Sequence, residues 1–190
     1  LLLKSRDYRR AFWQRFGIIG SSAYLLYCIA NKNKVDNEFK QITAIQNISY
    51  RQYFTTPTPL NNWLWYVVAK TDSGFYTGYY SVFDKRKKIT FHYFPQNDSL
   101  LRSVSNKEEL QHLIRFSQGY YTVEKWSDTL VFNNLRFGQI TGWYDPNAKF
   151  IFHYYLQGAG EESKLVVQRG RFSNWNWTTT RSLLNRIASN

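Results

Sequence analysis

Two histidines of this chain occupy matching positions in two similar stretches. Residues 91–94 and residues 152–155 both read aromatic-His-aromatic-aromatic, with His92 in the first stretch and His153 in the second. Neutral imidazole is a common metal ligand and a common acid–base group, so two histidines on neighbouring strands would begin a metal site. The pair therefore admits two interpretations. Either the chain is an autonomous metal-dependent hydrolase that uses His92 and His153 as ligands, or both are structural histidines of a sheet.

Other catalytic signatures are absent from the sequence. No Gly-x-Ser-x-Gly nucleophile motif occurs, and the single cysteine, Cys28, lies in an apolar stretch. The glycines at 158 and 160 are followed by Glu161 and Glu162, which would repel a phosphate group. The sequence thus contains no complete active site, and we expect this chain to lack a catalytic centre of its own.

Both histidine-containing stretches follow a glycine-led aromatic stretch and a polar turn. Residues 77–80 and 141–144 supply the first strand of each unit, and residues 84–88 and 145–149 supply turn-forming side chains. Such residues between strand-like runs are typical of β-hairpins. The sequence therefore predicts a repeated hairpin.

The remaining patterns predict a sheet with one inserted helix. The helix is predicted from Ser105, which begins a capping box, and a second short helix from about 180 to 188. Strands are predicted at 63–69, 75–82, 89–94, 120–123, 129–132, 136–143, 150–157 and 165–168. This order of elements predicts the α+β class with a mainly antiparallel sheet.

Residues 1–54 are predicted to form a helical arm. Five basic residues occur between positions 4 and 15, and residues 16–30 carry no charge. A helix over 16–30 would rise about 22 Å, short of the roughly 30 Å hydrocarbon core, while a start at Ala11 adds the missing length. Residues 11–30 are therefore either the last membrane helix of a longer protein or a buried amphipathic helix on the sheet. The chain contains no methionine, which also leads us to expect a longer parent protein.

A second helical pattern extends from Val35 to Ser49, with apolar residues at helical spacing. Pro57 and Pro59 follow and predict an extended connector, because the residue before a proline avoids the helical region. We therefore divide the chain into an arm at 1–54 and an antiparallel α+β domain at 55–190.

The composition favours acidic partners. The chain has 190 residues, a formal charge of +12 and 19% aromatic residues. Such a charge suits anionic lipid or nucleic acid, and aromatic side chains on a sheet can stack bases. A basic aromatic-sheet module that binds nucleic acid or anionic lipid is therefore an alternative function, although the domain also needs aromatic residues in its core. Tryptophan beside asparagine at 175–177 would equally suit a sugar.

Several motifs resemble one family of membrane proteins. They are TTPTPLNNWLWYVV (55–68), FNNLRFGQ (132–139), the pair Gly142-Trp143, and SAYL (22–25) with Asn31-Lys32 beyond it. Together they resemble the carboxy-terminal region of the membrane-bound metal-dependent hydrolases, also described as LexA-binding inner-membrane-associated proteins (the YdjM-like group). The resemblance extends over essentially the whole chain.

This resemblance implies an extramembrane accessory or binding domain of a bacterial inner-membrane protein, with the periplasmic side favoured. In that family the candidate metal ligands lie in the membrane half upstream, so a divalent metal is expected only in the parent protein and no catalytic residue is assigned here. The candidate binding residues are Trp65, Asn134, Arg136 and Trp143. Asn134 stands where the family often has aspartate, and Arg136 is either a structural partner or an anion contact. The expected partners are the membrane, the upstream half and another protein; nucleic acid is not expected.

Overall fold

A computed structural model describes residues 9–85, 88–104, 106–127, 129–156 and 175–188. These residues form three α-helices, one 3-10 helix and two antiparallel sheets, which confirms the predicted α+β class. The elements are α1 (Arg9–Ile45), β1 (Gln52–Pro57), β2 (Leu64–Lys70), β3 (Gly74–Ser81), β4 (His92–Pro95), a 3-10 helix (Asp98–Ser103), α2 (Lys107–Phe116), β5 (Tyr121–Trp126), β6 (Thr129–Gln139), β7 (Phe150–Leu156) and α3 (Trp177–Ile187).

Helix α1 unites the two helical patterns of the sequence in one continuous element of 37 residues. At about 1.5 Å per residue it is roughly 55 Å long. Its second half packs on the sheet through Val35, Phe39 and Ile42, whose spacing places them on one face, and all three are buried. The helix ends before Asn47, which adopts a left-handed φ of 54°. Only this second half behaves as a buried amphipathic helix.

The first sheet has the strand order β1-β2-β3-β4, with every neighbouring pair antiparallel. Strand β2 is buried on both faces, as its continuous apolar sequence predicts. On one face of β2, Trp65 and Val67 belong to the core beneath α1. On the other face, Tyr66 and Val68 pack with residues of the second sheet such as Leu135. Most of the connector predicted around Pro57 is in fact the edge strand β1.

The second sheet has the order β5-β6-β7 and covers α2 and the 3-10 helix with one face. Leu110 and Leu113 of α2 pack in this core with Val123 and Phe132. Helix α2 begins after Asn106, whose side-chain oxygen accepts a hydrogen bond from the backbone N–H of Glu109 at 3.0 Å. The predicted cap residue, Ser105, and the predicted strand at 165–168 lie outside the described residues.

The two similar sequence units do not form the same structure. In the first unit β3 pairs with β4, and Thr77 lies opposite His92. In the second unit the strand before the turn is β6. It contains the whole strand predicted at 129–132 and the first part of the strand predicted at 136–143, and it ends at Gln139. Gly142 and Trp143 therefore lie in a turn, and the prediction of a strand through residue 143 is wrong. Each unit still forms an antiparallel hairpin, β3–β4 and β6–β7, and the second has a register irregularity between Asn134 and Gln139, with Gly138 at a φ of 71°.

Buried tyrosines predict an alkaline limit to stability. Burial raises the pKa of Tyr80 to about 12. Burial, followed by the hydrogen bond that Tyr121 donates to Asp98 at 2.8 Å, raises the pKa of Tyr121 to about 12 as well. Because the unfolded side chains ionise near a pKa of about 10, the folded state holds these protons more tightly. Below about pH 10 the ionisation of these tyrosines should therefore leave the free energy of unfolding unchanged. As the pH rises from about 10 to 12, the free energy of unfolding should fall. Absorbance of tyrosinate during an alkaline titration, recorded beside circular dichroism, checks this: ionisation of these residues should coincide with unfolding.

Candidate functional site

The first half of α1 exposes apolar side chains over most of its circumference. From here on, the arm means residues 10–30, the exposed part of the arm predicted at 1–54. Its exposed large apolar residues are Phe12, Trp13, Phe16, Ile18, Ile19, Tyr24, Leu25, Leu26, Tyr27 and Ile29. At about 100° per residue, these positions cover roughly 260° of the helix circumference. The remaining sector carries Arg10, Gln14, Gly17, Ser21 and Cys28. Gly17 and Gly20 have no neighbouring atom within 4 Å of the position that a Cβ would occupy. Among the described residues, no helix meets the length and hydropathy criteria of a membrane-spanning helix.

Three exposed apolar residues surround the point where the arm meets the first sheet. We call Leu60, Trp63 and Phe83 the rim; all three are exposed. The indole Nε1 of Trp63 donates a hydrogen bond to the hydroxyl of Tyr27 at 2.9 Å, which joins the rim to the arm. The rings of Trp63 and Phe83 are 6.3 Å apart. Arm and rim thus form one continuous apolar surface.

Polar contacts fix the arm relative to the rim. Asn31 donates from Nδ2 to the carbonyl oxygen of Asn62 at 3.0 Å, and Lys34 donates to the carbonyl oxygen of Val82 at 2.5 Å. Lys32 lies 2.9 Å from a carboxylate oxygen of Asp36. These bonds connect α1 to the loops that carry the rim, so the direction of the arm is set by the folded domain.

The two candidate tryptophans have structural contacts. Trp65 is buried in the core beneath α1, and its Nε1 donates to the carbonyl oxygen of Asn62 at 3.3 Å. Trp143 is half-buried; its Nε1 donates to the hydroxyl of Ser182 in α3 at 3.2 Å, and its ring is perpendicular to that of Tyr79. The structure therefore places Trp65 and Trp143 in different parts of the fold.

Asn134 and Arg136 lie together at the end of α2. Nη1 of Arg136 donates to the carbonyl oxygen of Phe116 at 3.0 Å, where a cation compensates the negative end of the helix. The backbone N–H of Arg136 donates to Oδ1 of Asn134 at 3.0 Å. Asn134 is fully buried, and its Nδ2 has no hydrogen-bond partner within the described residues. These contacts give Arg136 a structural role, which was one of its two predicted roles.

The two histidines belong to different sheets. His92 is half-buried on the edge strand β4, whereas His153 is buried on β7, with Nδ1 at 3.1 Å from the carbonyl oxygen of Phe150. In the ranges that the structure describes, no group of three or more histidine, cysteine, aspartate or glutamate side chains is placed to hold a metal ion. This geometry does not favour the interpretation in which His92 and His153 share an ion.

A cleft that no sequence pattern predicted lies on the face of the second sheet opposite α2. Thr122, Asn133 and His153 lie side by side across β5, β6 and β7, and all three are buried. Beside this row is a cleft of about 240 Å³, lined by Phe94, Glu124, Trp126, Asn133, Asn147, Ala148, Lys149 and Phe150. One pattern in the sequence bears on this cleft. Thr122, Glu124 and Trp126 are at alternate positions of one strand, so their side chains lie on the same face.

The cleft combines aromatic rings with polar groups of both charges. Nζ of Lys149 lies 4.5 Å above the centre of the Trp126 ring. The Nε1 of Trp126 donates to a carboxylate oxygen of Glu124 at 2.9 Å. Asn133 makes one long side-chain contact, from Nδ2 to the hydroxyl of Thr122 at 3.5 Å, and its Oδ1 accepts no hydrogen bond from the described residues. The cleft can therefore both donate and accept hydrogen bonds beside an apolar wall.

No protein-family model, no curated protein and no solved structure matches this chain. The resemblance to the YdjM-like proteins thus stays a prediction.

Proposed function

We propose that this chain is an extramembrane accessory domain of a bacterial inner-membrane protein, held at the bilayer by its arm and rim. In this proposal any hydrolytic chemistry belongs to the membrane half of the parent protein, and the sheets serve as a supporting and binding domain. The single observation that carries the proposal is the continuous apolar surface formed by the exposed arm and the three rim residues.

A helix that is apolar over most of its circumference needs cover over most of its circumference. Globular surface helices bury one apolar stripe and expose a polar face, as the second half of α1 does. The arm has ten large apolar residues in water-exposed positions around its axis. Lipid tails and neighbouring membrane helices would cover it completely, and the small residues Gly17, Gly20 and Ser21 would allow such helices to approach closely.

The residues at the base of the arm suit a membrane–water interface. Tyr27 and Trp63 are amphipathic rings of the kind that is enriched at the headgroup level. Lys32 and Lys34 follow directly in α1, where their ammonium groups bind Asp36 and the carbonyl oxygen of Val82 and so hold the base of the arm on the folded domain. The basic residues ahead of the arm in the sequence, Lys4, Arg6 and Arg9, would attract anionic headgroups.

The aromatic-sheet alternative receives less support from the side chains that the sheets expose. Tyr93 (43% exposed) and Phe137 (41%) are the most exposed aromatic strand residues in the described part of the chain. They lie on different sheets, so they form no common stacking platform for successive bases. Other strand aromatics, such as Tyr53 and Tyr76, pack against the core beneath α1.

Flotation with lipid vesicles tests the proposal. The chain should float with phosphatidylethanolamine–phosphatidylglycerol vesicles, and the double variant Ile19→Asp, Leu26→Asp should lose at least tenfold in bound fraction. An aspartate near the centre of a membrane helix costs about 3 kcal/mol, which is more than a factor of ten in the equilibrium. The rim variant Trp63→Ser, Phe83→Ser should retain weaker binding, because the arm remains apolar.

The matched control is Phe116→Ser, which removes an exposed aromatic ring far from the arm and should float like the parent chain. Circular dichroism establishes that each variant is folded. If the arm variant floats as well as the parent chain, or if binding disappears in high salt for all of them, the apolar arm is not the attachment and the proposal fails.

A further inference from the structure

We propose that the cleft on the face of the second sheet opposite α2 is a binding site for one uncharged sugar ring. The cleft lies between β4, β5, β6 and the start of β7, and it uses none of the residues of the arm or the rim. The inference is therefore independent of membrane attachment and goes beyond it.

Asn133 places a polar side chain at the cleft. It lines the cleft, and its Oδ1 accepts no hydrogen bond from the described residues. Next to it in the sheet, His153 directs Nδ1 to the carbonyl oxygen of Phe150. A ligand hydroxyl that enters the cleft can therefore donate to Oδ1 of Asn133 without displacing another protein group.

The second argument is the balance of charge and hydrogen-bonding capacity. Lys149 supplies donors, Glu124 supplies acceptors, and the amides of Asn133 and Asn147 supply both. One positive and one negative side chain give the cleft no net charge at neutral pH. A ligand with hydroxyl groups matches this set, since each hydroxyl can donate and accept, whereas a charged phosphate would meet Glu124.

The third argument is the shape and the apolar wall. Phe94, Trp126 and Phe150 provide aromatic surface, and the rings of Phe94 and Phe150 are fixed at 5.3 Å from each other. A sugar ring presents C–H groups on one face and hydroxyls at its edge, which fits an aromatic wall with polar groups beside it. The volume of about 240 Å³ is below the roughly 300–1,000 Å³ of sites for drug-sized ligands, so the cleft suits one ring rather than an oligosaccharide.

A titration followed by nuclear magnetic resonance tests the inference on the whole 190-residue chain. The protein is labelled with ¹⁵N and kept in a zwitterionic detergent that contains no sugar. The indole N–H signal of Trp126, assigned from a Trp126→Phe variant, reports the hydrogen bond to Glu124. Glucose and N-acetylglucosamine should each shift this signal in a saturable way, with a Kd on the order of 1 mM for so small a ligand. Glycine and inorganic phosphate, added at the same concentrations, should not.

Two variants and one control locate the binding. Glu124→Gln and Lys149→Ala should each weaken sugar binding about tenfold, since a hydrogen bond to a charged group contributes about 1.5–3 kcal/mol. Lys125→Ala removes the same charge from an exposed lysine on the opposite face of β5 and should leave the Kd unchanged.

Three results would overturn the inference. They are the absence of a saturable shift with either sugar, an equal shift with glycine or phosphate, and an equal loss of binding in the Lys125→Ala control. None of these results bears on flotation, so a failed sugar site and a failed membrane attachment are distinguishable.

Discussion

Replacing Gly74 with alanine should lower the free energy of unfolding by about 3 kcal/mol, the upper part of the usual range for overpacking. A Cβ at this position would lie 2.3 Å from the carbonyl oxygen of Phe94 and 2.9 Å from Cα of Pro95. Both are backbone atoms of β4, so no side-chain rotation relieves the clash, and the β3–β4 pairing itself must open. Urea unfolding followed by circular dichroism measures the loss.

The control for this prediction is Gly17→Ala in the arm, where nothing lies within 4 Å of the added methyl group. Because alanine is the better helix former by about 1 kcal/mol, this variant should be unchanged or slightly more stable. Equal stability of the Gly74→Ala variant and the parent chain would contradict the register that places Gly74 opposite Pro95.

The consequence of Gly74→Ala should extend to the cleft. Phe94 pairs with Phe75 in the β3–β4 register and forms one wall of the cleft against Phe150. If the pairing opens, this wall moves, so a folded Gly74→Ala variant should also bind sugar more weakly. The glycine thus supports the candidate site without contacting it.

The fold class was predictable because its signals are local. The apolar run of β2, the alternation in β5 and the helical spacing of Val35, Phe39 and Ile42 each depend only on neighbouring residues. The point where β6 ends was not predictable in this way. Its aromatic continuation to Trp143 has strand propensity, but Gly138 adopts a left-handed conformation that no sequence pattern required.

The cleft was not predictable because its residues come together only through register. Thr122, Asn133 and His153 are separated by 11 and 20 positions in the sequence and meet because β5, β6 and β7 pair in one register. The repeated aromatic-His-aromatic pattern instead suggested that His92 and His153 were equivalent. Their different sheets follow from the connection between β4 and β5, where the 3-10 helix and α2 lead the chain from the first sheet to the second.

Replacing Arg186 with alanine should lower the free energy of unfolding by about 3 kcal/mol, as expected when one partner of a largely buried ion pair is removed. Its guanidinium group donates to both carboxylate oxygens of Asp84, at 2.9 and 3.0 Å, and to the carbonyl oxygen of Tyr79 at 2.8 Å. The two side chains are only 26% and 10% exposed, so Asp84 would lose two charge-assisted hydrogen bonds in a poorly solvated position. Thermal unfolding of the variant measures this loss.

Two further variants separate the geometry of this pair from its charge. Arg186→Lys keeps the charge but loses the two parallel hydrogen bonds, so it should recover only part of the stability. Arg181→Ala removes an exposed arginine from the same helix and should change the stability by less than about 0.5 kcal/mol. If Arg181→Ala and Arg186→Ala were equally destabilising, the loss would reflect the general charge of α3 rather than the pair with Asp84.

The ion pair also connects α3 to the surface that we assign to the membrane. Asp84 directly follows Phe83 of the rim, and its carboxylate also accepts a hydrogen bond from the backbone N–H of Ser81 at 2.8 Å, which holds the same turn. The hydroxyl of Ser81 in turn donates to the carbonyl oxygen of Ile187 at 2.5 Å. Release of this turn should let Phe83 leave Trp63, so a folded Arg186→Ala variant should bind vesicles about as weakly as the rim variant. Full binding by that variant would show that the turn at Phe83 keeps its position without the Arg186–Asp84 pair. The arm alone would then account for the attachment to vesicles.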